Sequence, residues 1–196
     1  MRCLLLIACL VPALVHGGSE TPPTREPAWE LSLETAQMIG VKNPNDYYFS
    51  TQMLNVAWQP FGTLEWGWFR VRSQLMATGF AIAILSGPES YYFGLGPQLR
   101  LIFPIGDSRW SLYANGGGGI GWADANESDK FDRGLGQDLT FIVLAAAGVR
   151  YAIDDRWSVW AGGMWHHLSN NDLSEPDKRN TGLDAFGVVI GGGFSF

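Results

Sequence analysis

The segment "WHHLSNNDLSEPDKRNTGLDAF" places His167 two residues before Ser169 and puts Asp184 a loop further on. A serine hydroxyl is a weak nucleophile until an imidazole takes its proton. A carboxylate on the far side of that imidazole fixes its tautomer and stabilises its cation. An amide donor beside the serine, either Asn170 or a backbone N–H of the loop, would hold the oxyanion of an ester intermediate. The chemistry these residue types would carry together is ester cleavage through an acyl-serine. They are also ordinary residues: His-x-Ser recurs by chance, and Ser, Asn and Asp are common at strand ends and turns. The choice between these readings depends on the elements that carry the residues.

Those elements read as strands. Period-two alternation runs through most of the chain, and helical periodicity is hardly visible. In 139–151 one face holds Leu139, Phe141, Val143, Ala145, Ala147, Val149 and Tyr151, against Thr140, Gly148 and Arg150 among others. Segment 91–103 sets Tyr91, Phe93, Leu95, Leu99, Leu101 and Phe103 against Tyr92, Gly94, Gly96, Gln98 and Arg100. The last segment alternates Phe186, Val188, Ile190, Phe194 and Phe196 with Ala185, Gly187, Gly191, Gly193 and Ser195. A soluble sandwich would bury the bulky face and charge the other. Here the other face is small and weakly polar, which suits a narrow barrel lumen with the bulky face on lipid.

Further strands are predicted at 30–39, 47–59, 64–76, 109–122 and 157–169, giving an all-β fold, an eight-stranded antiparallel transmembrane β-barrel. Each is long enough for the ~9–11 residues that a tilted membrane strand needs. The nine tryptophans could supply interfacial girdles. "PFGT" (60–63), "PIGDS" (104–108) and "IDDR" (153–156) read as short periplasmic turns. "VKNPND", "GFAIAILSGPE", "ADANESDKFDRGLGQD" and "NNDLSEPDKRN" read as exterior loops. Pro97 falls inside a strand of a closed barrel, which has no edge to accept a missing N–H, so a bulge is expected there.

Composition sets the class. With 46% hydrophobic and 16% charged residues in 196, the chain can fill one domain. "MRCLLLIACLVPALVHGG" has a basic start, an apolar run and small residues near a cleavage point. Residues 1–17 are therefore expected to be a secretory signal peptide, 18–28 an N-terminal arm and 29–196 an outer-membrane β-barrel. A lipoprotein reading on Cys9 leaves too short an apolar run. Cys3 and Cys9, with His16, fall in the signal, so the mature chain would have no thiol for a disulfide, a nucleophile or a metal site. His166 and His167 diverge on a strand and make a poor metal pair, and no metal or other cofactor is expected. The net charge of −6 argues against nucleic acid. No apolar run beyond the signal reaches the ~20 residues of a membrane helix, so membrane entry would be by strands.

On this topology His167 and Ser169 end one strand and Asp184 begins the next. Parity puts all three on the outer wall near the outer leaflet, and a register pairing His167 with Asp184 would leave 170–181 as the loop. The strand end "HLSNN", followed by "NTGLDAFGVVIGGGFSF" to a terminal Phe, resembles the outer-membrane lipid A 3-O-deacylases of the PagL type. Those are small eight-stranded barrels with a lipid-facing Ser-His-acid triad. Their motif reads His-x-Ser-Asn and then Asn-x-Gly-x-Glu. By position the resemblance implies His167 as the base, Ser169 as the nucleophile, Asn170 as the oxyanion residue and Asp184 as the acid. The match is detailed over the last ~30 residues and rests on size and barrel pattern elsewhere. The family acid is usually Glu. Asp is shorter by one methylene, so either the backbone must come closer or a water must bridge; Asp172, Glu175 and Asp177 are the other acids within reach.

The expected function is hydrolysis of an ester-linked, 3-O acyl chain of lipid A in lipopolysaccharide, without cofactor, in the outer membrane. The alternatives are a non-catalytic small barrel with a structural or surface-binding role, and acyl transfer by the same triad. A homodimer is left open. "GDS" at 106–108 resembles an esterase fingerprint but falls in a tight turn. His166 is expected in the lumen, hydrogen-bonded. The acidic loop 124–138 is read as solvated in preference to cation-binding, and "NES" at 126–128 fits a glycosylation sequon. Arg70, Arg72 and Arg100 are expected to pair with Glu65 and other acids in the lumen.

Overall fold

The computed structural model describes residues 28–41, 47–67, 69–125, 134–173 and 182–196. The expected signal peptide and nearly all of the expected arm lie outside these residues, as do "NES", Glu175 and Asp177. The strands are β1 (Trp29–Val41), β2 (Tyr48–Trp58), β3 (Leu64–Trp66), β4 (Phe69–Ser86), β5 (Tyr91–Pro104), β6 (Trp110–Ala123), β7 (Leu139–Ala152), β8 (Trp157–Ser169) and β9 (Leu183–Ser195). All pair antiparallel. β1 pairs with both β2 and β9, and β2 also pairs with β4, so the sheet closes on itself as an eight-stranded barrel with β3 as a short hairpin arm on β4.

Closure leaves every long strand with two neighbours, which satisfies the backbone inside a membrane where water cannot. The short turns 59–63, 105–109 and 153–156 lie at one end, as predicted. Trp29 and Phe196 exchange backbone hydrogen bonds there at 3.3 and 2.9 Å. Both chain ends of the barrel and the short turns mark the periplasmic end. Outward-facing Trp29, Trp58, Trp110 and Trp157 ring it, with Trp29 stacked on Trp58 and Trp110 against Tyr151. Such rings seat at the headgroup level, where an aromatic body and a polar N–H are both satisfied.

Alternation came out as read along β5, β7 and β9: the bulky sets face out and Gln98, Arg100, Thr140, Ala185 and Val189 face in. Three expectations are corrected. First, "GFAIAILSGPE" is not a loop down to its start, because β4 continues to Ser86 with Phe80 and Ile82 buried in the lumen and Gly79, Ala81 and Ala83 outside. Second, Pro97 causes no bulge. The β5–β6 register is the same on both sides of it, Leu95 with Ile120 and Gln98 with Gly117, and only the intervening pairs are skipped. The strands approach too closely there for side chains: a β-carbon on Gly96 would overlap the Gly118 oxygen, and one on Gly117 the Pro97 oxygen. Glycine on both strands absorbs the missing donor without an extra residue. Third, Glu65 is exposed and Arg70 reaches the turn, where it bonds Gly106 O and lies 3.4 Å from Asp107.

The lumen is filled in two zones. Its periplasmic half is ionic: Arg100 bonds Glu34 and stands 3.1 Å from Glu30, Arg150 bonds Glu30, and both guanidinium groups lie over Trp160 at 4.6 and 5.1 Å. Glu34 leads on through Asn55, Thr78 and Gln98 to Asn115. The other half, beneath the long loops, is apolar and holds Met38, Phe49, Ile142, Leu144, Leu168 and Leu183. Removing one member of a buried ion cluster leaves charges uncompensated. Glu30→Ala is therefore expected to destabilise the barrel by about 3–5 kcal/mol. The urea midpoint, followed by heat-modifiable gel mobility, measures this, and an unchanged midpoint would show that the cluster does not hold the barrel together.

Candidate active site

His167 and Asp184 are directly paired in the β8–β9 register, as predicted, with Leu168 opposite Leu183 as the last pair before the loop. Alternation turns both side chains to the outer wall at the extracellular end, where they are 37% and 38% exposed, open to a lipid substrate without being fully solvated. His167 Nδ1 lies 3.0 Å from Asp184 Oδ1. The shorter reach of Asp is met by this cross-strand pairing, and no bridging water is needed. A carboxylate on Nδ1 selects the tautomer with the proton there, which leaves Nε2 as an acceptor. Trp165, two residues earlier on the same face, stacks on the imidazole with centroids 6.2 Å apart and planes at 23°. This fixes the ring from a second direction.

Ser169 ends β8 on that same face. Its Oγ accepts the backbone N–H of Asn171 at 3.1 Å. The chain turns at once: Asn171 and Asp172 both have positive φ, 54° and 61°, and Leu173 N–H returns to Asn170 O at 3.3 Å. Asparagine and aspartate are the non-glycine residues that best tolerate this conformation. On the returning strand Gly182 has φ +59°. A β-carbon placed on it would stand 3.4 Å from His167 Cε1 and 4.0 Å from Ser169 Cβ. Serine and imidazole thus both border one glycine; a β-carbon there would meet them at ordinary contact distance, and it is the positive φ that favours glycine.

Asn170 is placed differently from its expected neighbours. Its side chain is fully buried on the inner side, and Nδ2 donates to Leu135 O at 2.7 Å. His166 is in the lumen as expected, stacked on Phe49 at 6.1 Å, but neither ring nitrogen has a hydrogen-bond partner among the described residues. Asp172 is exposed in the turn. "GDS" is a periplasmic turn in which Ser108 Oγ bonds Ile105 O at 2.7 Å, at the opposite end of the barrel from His167. Among the described residues no cluster of His, Cys, Asp or Glu could hold a metal ion. In the acidic connection, burial pushes the Asp124 carboxyl up, but the backbone N–H groups of Ser90 and Tyr91, at 2.8 and 3.1 Å, outweigh this and hold it below the ordinary aspartate value. It anchors a loop.

Sequence reasoning missed Trp165 as a ring support and Glu89, a buried carboxylate in the β4–β5 connection bonded to Tyr47 and Leu135. Trp165 was open to detection, since it lies two residues before His167 on a strand and must share its face. Glu89 left no such signal.

A closed eight-stranded barrel with an outward histidine–carboxylate pair defines a small outer-membrane barrel. Two solved structures share the architecture. The crystal structure of the outer membrane enzyme PagL is 17% identical, with a TM-score of 0.54, covering 83% of this chain and 97% of that one. The crystal structure of Neisserial surface protein A (NspA) is 10% identical, with a TM-score of 0.54, covering 86% and 97%. At those identities the likeness is one of fold. A comparison with curated protein sequences finds no match. The lipid A 3-O-deacylase (PagL) family profile matches residues 46–192, and the chain belongs to that family. It is an outer-membrane lipid A deacylase by family and fold.

Proposed function

We propose that the chain hydrolyses the 3-O-linked acyl ester of lipid A with Ser169 as nucleophile, His167 as general base and acid, and Asp184 as the carboxylate that orients His167. The observation that carries this is the 3.0 Å His167–Asp184 pair on the outer wall, beside the Ser169 turn. Ser169 Oγ attacks the acyl carbonyl as its proton passes to His167 Nε2. The tetrahedral intermediate expels the sugar oxygen, which takes the proton from His167. Water, deprotonated by the same nitrogen, then attacks the acyl-serine, releases the fatty acid and restores the hydroxyl. The Asn171 N–H, already on Oγ, is a donor beside the oxygen that becomes negative. Asn170, assigned to that task by resemblance, enters this scheme through the turn it anchors. The leader 1–17 is proposed to be removed on export, which would leave the barrel free of cysteine.

A lipid-facing position supports this reading, because an acyl chain in the outer leaflet can reach Ser169 without leaving the bilayer. The test is mass spectrometry of lipid A from an outer membrane carrying this chain. Loss of one acyl chain with release of the free acid is expected. Its appearance on a second lipid would make the enzyme a transferase, and unchanged lipid A would favour a non-catalytic barrel.

A further inference from the structure

Beneath the outer-wall site, four buried groups from four separated parts of the chain form one continuous set of hydrogen bonds. Tyr47, just before β2, donates its hydroxyl to Glu89 Oε2 at 2.6 Å. Glu89, between β4 and β5, accepts the Leu135 N–H on Oε1 at 2.7 Å. Leu135, before β7, accepts Asn170 Nδ2 on its carbonyl at 2.7 Å. All four are at most 2% exposed. Burial and the adjacent Glu89 carboxylate push the Tyr47 hydroxyl well above the usual tyrosine range, so it stays protonated and serves as a donor. The Glu89 loop is itself fixed by Asp124 on the Ser90 and Tyr91 amides.

Leu135 is therefore gripped at both polar ends of its backbone, its N–H by Glu89 and its carbonyl by Asn170. Asn170 lies between the nucleophile and the amide that bonds it, and its carbonyl closes the turn through Leu173. A shift of Asn170 moves both Ser169 and the Asn171 N–H, and displacing reacting groups by about 1 Å lowers rates by about a hundredfold. Burying a carboxylate in a barrel end filled mainly by apolar side chains is unfavourable unless it is fully hydrogen-bonded. A merely space-filling role would be met by an apolar residue.

We propose that Tyr47, Glu89 and Asn170 are positioning residues: acting through the Leu135 backbone, they hold the Ser169 turn in its reactive geometry. This rests on the reading of Ser169 as nucleophile. The test uses the full-length barrel, purified as the heat-modifiable folded form, with two readouts: kcat and KM on lipid A, and the rate of labelling by a fluorophosphonate probe mapped to Ser169 by mass spectrometry. Glu89→Ala and Asn170→Ala should each lower kcat and the labelling rate by about 10–100-fold with KM within about threefold. Glu89→Gln keeps an acceptor for Leu135 and a partner for Tyr47, and should stay within about threefold of the wild type. The double variant Glu89→Ala/Asn170→Ala should be no slower than the slower single variant, because both act on one backbone segment.

If Glu89→Ala does not assemble, Tyr47→Phe takes its place, with an expected fall of about 3–10-fold from the loss of one buried hydrogen bond. Wild-type labelling at Ser169 with unchanged kcat in the variants overturns the proposal and leaves the nucleophile intact. A Glu89→Gln variant as slow as Glu89→Ala also overturns it. A wild type that is neither labelled at Ser169 nor releases fatty acid overturns the nucleophile assignment, and the proposal with it.

Discussion

Ser169→Ala and His167→Ala are each expected to lower the deacylation rate by about ten thousandfold or more, with the double variant no slower than either single one. Members of a nucleophile–base pair act as a unit, so loss of one removes what the other contributes. The barrel should assemble unchanged in each case. Both side chains lie on the outer wall, part-exposed, and neither belongs to the ionic or the apolar zone of the lumen. Ser169→Ala removes the hydrogen bond from the Asn171 amide, which costs about 0.5–1.5 kcal/mol. Heat-modifiable mobility and the urea midpoint check the fold, while free fatty acid released from lipid A checks the activity. A Ser169→Ala barrel that folds and keeps most of its turnover would remove Ser169 as nucleophile. The acyl-serine step would go with it, leaving His167 to activate water directly.

The sequence shows clearly which features of this barrel follow from local chemistry. Along β7 and β9 burial alternates with the period that the sequence shows, with Phe141, Val143, Val149, Phe186, Val188 and Ile190 on the outer face. The His167–Asp184 register was open to deduction because a single loop separates the two strands and both ends are fixed by polarity. β4 hid its far end for the opposite reason. Between 79 and 84 the size order is reversed, with Phe80 and Ile82 filling the lumen and Gly79, Ala81 and Ala83 facing out, so a rule of bulky outside and small inside does not recognise the strand. The same rule failed for the apolar zone as a whole, where Met38, Phe49 and Leu144 fill the extracellular half of the lumen.

Asn170 is instructive because parity was sufficient. With Ser169 facing out, the next residue must face in. The family motif pointed to its side chain as an oxyanion donor, but strand geometry sends it inward to the Leu135 carbonyl. Glu89 is a different case. Its partners lie 42 and 46 residues away in sequence, on segments with no shared periodicity, and only the closed barrel brings them together.

Asp184 separates the structural role of the pair from its electrostatic role, and Asp184→Asn is expected to lower turnover by about 100–1,000-fold. The substitution keeps the shape and the cross-strand position opposite His167. It removes the negative charge that stabilises the imidazolium, and an amide nitrogen turned toward Nδ1 would favour the wrong tautomer, with the proton on Nε2 and no acceptor for Ser169. The expected loss is smaller than for Ser169→Ala or His167→Ala, because Asp184 acts on the reacting atoms only through His167. Asp184→Glu should keep turnover within about tenfold of the wild type, since charge and partner are retained and only the added methylene must be accommodated. The side chain lies on the outer wall, 38% exposed, and outside the packed lumen. The two variants are compared on the same lipid A preparation, each as the folded fraction, by initial rate of fatty-acid release. A rate for Asp184→Asn equal to that of the wild type would remove the carboxylate from the mechanism and leave a Ser-His dyad. A rate for Asp184→Glu as low as that of Asp184→Asn would show that the 3.0 Å geometry, and not the charge, is what His167 requires of its partner.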